Sequence, residues 1–145
     1  MRATRSFVAC AIFLLMTVAC EVPSLETSEC TAARVGVREF YSFHFGNDMA
    51  FSTENLDLRK RFLSDAMLER VSGTPDGIDP FTTGDADFPR AFRVGKCTET
   101  DGRQVFDVLI FWRTDEENIQ RKITAAMVRA DDKWLIDQID TKPNK

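Results

Sequence analysis

Histidine and tyrosine are almost missing from this chain, with one of each among 145 residues, and cysteine is sparse at four. With His44 as the lone imidazole, histidine-clustered metal sites and paired-histidine catalysis are excluded. No CxxC, HExxH, nucleophile elbow, phosphate-cradling glycine loop or dinucleotide fingerprint occurs, so no cofactor or resident metal is expected. Basic residues number 19 against 23 acidic ones, and the net charge of −4 argues against nucleic acid as partner. No apolar run reaches the roughly 20 residues a membrane-crossing helix needs. The chain also lacks internal repeats and low-complexity segments, and its 43% apolar content is ordinary for one globular domain.

The longest apolar stretch sits at the front. Arg2 and Arg5 precede a run from Phe7 to Ala19, interrupted only by Thr17, which has the length of a signal-peptide core. Thr17-Val18-Ala19-Cys20 resembles a bacterial lipobox, with Thr17 where an aliphatic residue is usual. The resemblance implies lipidation of Cys20, a new N-terminus there, and anchoring to the membrane through several acyl chains together. The plainer reading is an ordinary signal peptide cut after Ala19, leaving Cys20 a free thiol. Glu21 is not the Asp that typically retains such proteins at the inner membrane. The periplasmic side of the outer membrane is therefore the expected location. The chain divides into a signal peptide (1–19), a lipidated cysteine with tether (20–30), one domain (31–141) and a short tail (142–145).

Removing residues 1–19 leaves 126 residues at a net charge of −6. Ten Phe remain there, and because phenylalanine has no polar handle they are assigned to the core. Cys30 and Cys97 are the cysteines left over. In an oxidising compartment they suggest one disulfide, worth roughly 4 kcal/mol in the chain-entropy picture. The alternative is two small buried hydrophobes that never meet.

Periodicity predicts helices first and strands after. Thr31–Phe45 carries Ala33, Val37, Phe40, Tyr41 and His44 on one face, with Thr27 or Ser28 to cap it. Residues 54–71 form either one helix or two meeting at Ser64-Asp65. Residues 73–90 are dense in turn residues, including Asp76, Asp79, Asp85 and Asp87. Strands follow at 91–100, 104–113, 118–130 and 134–140. The Val108–Trp112 run, apolar on both faces, reads as a central strand covered on both sides. The class is α+β.

Val37-Arg38-Glu39-Phe40-Tyr41, Arg61-Phe62-Leu63-Ser64, Asp79-Pro80-Phe81, Asp85-Ala86-Asp87-Phe88 and Lys133 through Ile139 together resemble one pattern. It is that of an uncharacterised bacterial envelope family, a domain of unknown function with a nuclear transport factor 2-like fold. The resemblance implies N-terminal helices packed on a curved antiparallel sheet of about four strands, a cone with a pocket at its wide end.

Three functional readings follow. Tyr41, His44 and Asp107 are pocket candidates, either for a small ligand or for isomerase- or dehydratase-type proton chemistry. The plainer reading makes Tyr41 a core residue, leaves His44 at a helix end and places Asp107 in solvent. The acidic loop suggests Ca²⁺ but lacks the remaining ligands of a Ca²⁺ loop, and aspartate is a common turn residue. Phe106, Val108, Ile110 and Trp112 share one face of the central strand. That face is the expected interface with a second copy or another envelope protein, unless loop 73–90 folds over it. Arg59, Lys60 and Arg61 form the one basic cluster, read as a solvated helix face. A non-catalytic binding module is the favoured role.

Overall fold

The computed structural model describes residues 26–113 and 118–141. The signal peptide, Cys20 and the tail 142–145 lie outside the described residues.

The first helix, α1 (Ser28–Phe45), starts where Thr27 accepts a hydrogen bond from the Cys30 amide (3.2 Å) and stops at Gly46. Two short helices follow, α2 (Thr53–Arg59) and α3 (Asp65–Val71), separated by a single 3₁₀ turn at Lys60–Phe62. Each has its own serine cap: Ser52 accepts from Asn55 and Ser64 from Met67, both at 3.1 Å. The second serine supplies the alternative start that splits the helical stretch in two.

Four strands follow in an open antiparallel meander, β1 (Ala91–Thr100), β2 (Arg103–Arg113), β3 (Asn118–Ala130) and β4 (Lys133–Asp140), in the order β1-β2-β3-β4. Asp101 (φ 52°) and Gly102 (φ 72°) turn β1 into β2, both in the left-handed region that a tight hairpin demands. The class is α+β, three helices packed on one sheet.

The side chains facing the helices make the core. Ala33, Val37, Phe40 and Tyr41 of α1 are fully buried, together with Phe106, Val108 and Ile110 of β2, Ala125 and Met127 of β3 and Ile136 of β4. Gly36 brings α1 close to β4. A Cβ there would lie 3.0 Å from Met127 Cε and 3.2 Å from the Trp134 carbonyl oxygen. The edge of β4 is occupied by Leu63, which bridges Ile136, and by Ser64, whose amide donates to the Ile136 carbonyl (2.9 Å) and whose hydroxyl donates to Asp137 (2.7 Å). Cys30 and Cys97 form a disulfide with a Cα separation of 6.0 Å, tying the start of α1 to β1.

Two expectations are corrected. Phe106, Val108, Ile110 and Trp112 do not form an open interface: they are at most 6% exposed and turn inward under the helices. Trp112 is closed off by the turn-rich loop, its Nε1 donating to the Asp87 carbonyl (3.3 Å). Conversely, β2 is covered on one face only. Val105, Leu109 and Phe111, on the opposite face, are half-buried by their sheet neighbours, and all the described helices pack on the other side.

Candidate functional site

The pocket candidates separate in the structure. Tyr41 and His44 are both buried in the interior, one turn apart on α1. Asp107 is not with them. It sits on the uncovered face of the sheet, opposite Thr124, with its carboxylate 3.5 Å from Lys122 Nζ and its side chain 35% exposed. The strand alternation puts Asp107 and its buried neighbours Phe106 and Val108 on opposite sides, so Asp107 does not pair with Tyr41.

His44 instead meets two residues that sequence reasoning assigned elsewhere. Asp79, a member of the acidic loop, places its two carboxylate oxygens 3.1 and 3.2 Å from His44 Nε2. Arg59, from the basic cluster, donates through Nε to His44 Nδ1 (2.9 Å). A guanidinium has only donors, so Nδ1 must be the unprotonated nitrogen and Nε2 carries the proton toward Asp79. The ring is thus a neutral bridge between a buried cation and a buried anion. His44 and Asp79 are 0% exposed and Arg59 is 1% exposed.

The remaining polar atoms of this cluster are also engaged. Arg59 Nη1 donates to the Asn55 carbonyl (2.8 Å) and Nη2 to the Asp48 carbonyl (2.6 Å). The Phe81 amide donates to Asp79 Oδ1 (2.9 Å) and the Thr82 hydroxyl to Oδ2. Tyr41 donates its hydroxyl to the Phe81 carbonyl (3.1 Å). Among the described residues, no buried side-chain nitrogen or oxygen is left without a partner. Burial and the neighbouring Asp79 carboxylate push the Tyr41 phenol well above its usual pKa of 10.0, so it stays neutral. Burial lowers the Arg59 pKa from its usual value, a shift that the Asp79 and Asp48 charges oppose.

Geometrically this arrangement resembles an acid–base relay. Chemically it has no access to a substrate. It clasps the end of α1, the end of α2 and the loop to one another, and Phe81 is driven edge-on against Phe40, with ring centroids 5.2 Å apart. The other loop aspartates serve turns: Asp85 accepts from the Asp87 amide (2.8 Å), and both are exposed. The one group of three metal-type donors among the described residues is Glu26, Cys30 and Cys97. Its two sulfurs are joined as a disulfide, so they cannot act as thiolate ligands.

An open site lies on the outside of α1. A groove of about 680 Å³ runs between α1, the 3₁₀ turn and the first residues of β4. Val35, Phe43, Phe62, Trp134 and Leu135 make its apolar floor and walls, and Val35 is 55% exposed. Glu39, Arg61 and Lys133 stand around it. The Arg61 guanidinium carbon lies 4.6 Å from the Phe62 ring centroid and 4.9 Å from that of Phe43. The sequence signal for this groove is the off-stripe apolar set Val35 and Phe43 on an otherwise polar face of α1.

Comparison of the chain with protein families, with curated proteins and with solved structures finds no match in any of the three.

Proposed function

We propose that the chain is a lipid-anchored binding module of a bacterial cell envelope. Its domain would be a nuclear transport factor 2-like cone, held by Cys20 on the periplasmic side of the outer membrane. One observation carries the non-catalytic part of this reading. Among the described residues the polar interior is buried and internally satisfied, whereas an open, largely apolar groove lies on the outside of α1. Chemistry of the isomerase or dehydratase type would need Tyr41 and His44 to meet a substrate, and both are fully buried. The apolar walls of the groove support binding of a partner protein or a small ligand in its place.

The test is native mass spectrometry of the protein purified from its own envelope, which reads the acyl mass at the N-terminus and any co-purified ligand or partner together. The expected result is a chain shortened by residues 1–19 and carrying lipid, with an additional bound species. A Cys20→Ser variant is expected in the soluble fraction. Unshifted membrane fractionation of that variant would remove the anchor from this reading.

A further inference from the structure

The chemistry of the groove specifies more than an apolar ligand. Arg61 is exposed and its guanidinium lies over two phenylalanine rings, an environment that suits a group able to pair with a carboxylate through its N–H donors. No carboxylate among the described residues pairs with it, whereas Arg34, Arg103 and Arg129 each have an acidic partner. Lys133 is a second cation on the groove without an ion pair among the described residues. Two acids line the groove as well: Glu39, and Asp132, whose fully solvated side chain lies 3.9 Å from Arg129. The groove therefore joins an apolar trough to a rim of two cations and two carboxylates, with Arg61 beside Phe43 at one end. From Ala32 to Phe43 it follows α1 for about 16 Å at the helical rise per residue, close to the extended length of a dodecyl chain.

The geometry points to an alkyl carboxylate of the fatty-acid class as the occupant of this groove, its chain on Val35, Trp134 and Leu135 and its carboxylate on Arg61. The inference rests on the reading of the domain as a binding module and names the ligand class of its open site. It does not depend on how the chain is anchored. Guanidinium–carboxylate recognition supplies direction, and the apolar trough supplies affinity. Glu39 disfavours an anionic head set in mid-groove, so the head belongs at the Arg61 end.

The experiment titrates the full chain carrying Cys20→Ser, free of detergent, with dodecanoate below its micelle concentration and, in parallel, with dodecanol. Trp134 lies in the groove, so its emission and the heat of binding report occupancy, and a Trp134→Phe variant separates its signal from that of buried Trp112. Saturable one-site binding of dodecanoate is expected, with dodecanol about tenfold weaker. Arg61→Gln should weaken dodecanoate about tenfold and leave dodecanol unchanged. Val35→Asp, at an exposed position that the fold does not need, should abolish both. Equal affinity for the acid and the alcohol, or dodecanoate binding unchanged by Val35→Asp, overturns the proposal. So does the absence of saturable binding. If dodecanoate fails while native mass spectrometry finds a protein partner that Val35→Asp releases, the binding-module reading stands and the fatty-acid occupant falls.

Discussion

Arg59 and Arg61 are two residues apart and have opposite fates. Arg59 is inside, with Nε on a neutral histidine and both terminal nitrogens on backbone carbonyls. Arg61 is outside, laid over two aromatic faces with no carboxylate partner among the described residues. The 3₁₀ turn between α2 and α3 separates them by rotating the chain at Lys60–Phe62. The same side chain is therefore a structural tie in one place and an available hydrogen-bond fork in the other. What decides is whether its donors are already matched.

The comparison breaks most severely at Asp79. Asp79→Ala removes the larger of the two negative charges acting on buried Arg59 and the carboxylate that His44 meets, and we expect a loss of about 3–5 kcal/mol in the denaturant-unfolding free energy. A loss under about 1 kcal/mol would show that the cluster is not a clasp. Next comes the staple at the far end of α1. Cys97→Ala opens a closed segment spanning 67 residues. We expect it to cost about 4 kcal/mol, read from the same unfolding curves with and without reductant.

Tyr41 sharpens the interior side. Below about pH 10 its phenol is neutral in both folded and unfolded chains, so its contribution to stability is constant. Above that, the unfolded chain ionises while the buried phenol, its pKa raised, does not. Stability must therefore fall as pH rises through the alkaline range. Tyr41→Phe should remove this alkaline slope at a cost of about 1 kcal/mol near neutral pH, seen in paired melts. The smallest expected effect is at the rim. Arg61→Gln should change the unfolding free energy by less than about 0.5 kcal/mol, in contrast to its effect on ligand affinity.

How far the sequence could be read follows from the range of the interactions. Caps act within three residues, so Thr27 and Ser64 were visible as starts of α1 and α3. Strand alternation acts over two, so the meander could be laid out nearly to the residue. Alternation does not say on which side the helices land. The run Val108–Trp112 is apolar on both faces, and only the packing of α1 decides that Val108 and Ile110 go in while Leu109 stays at the uncovered face. The cluster was illegible for a related reason. His44 lies 15 residues from Arg59 and 35 from Asp79, and each of the three has a commonplace local role as helix end, basic face or turn. Nothing local distinguishes an aspartate that makes a turn from one that must neutralise a distant arginine.

The order of the elements along the chain also has a consequence for how the molecule comes into being. The helical layer emerges first, yet its apolar faces are completed by β2, β3 and β4, and its cysteine finds its partner 67 residues later. An incomplete chain therefore carries greasy helices with nothing to rest on. Residues 26–90 made alone are expected to remain unfolded and to be cleared by proteases, and late truncations within β4 should be as harmful as any change near the beginning.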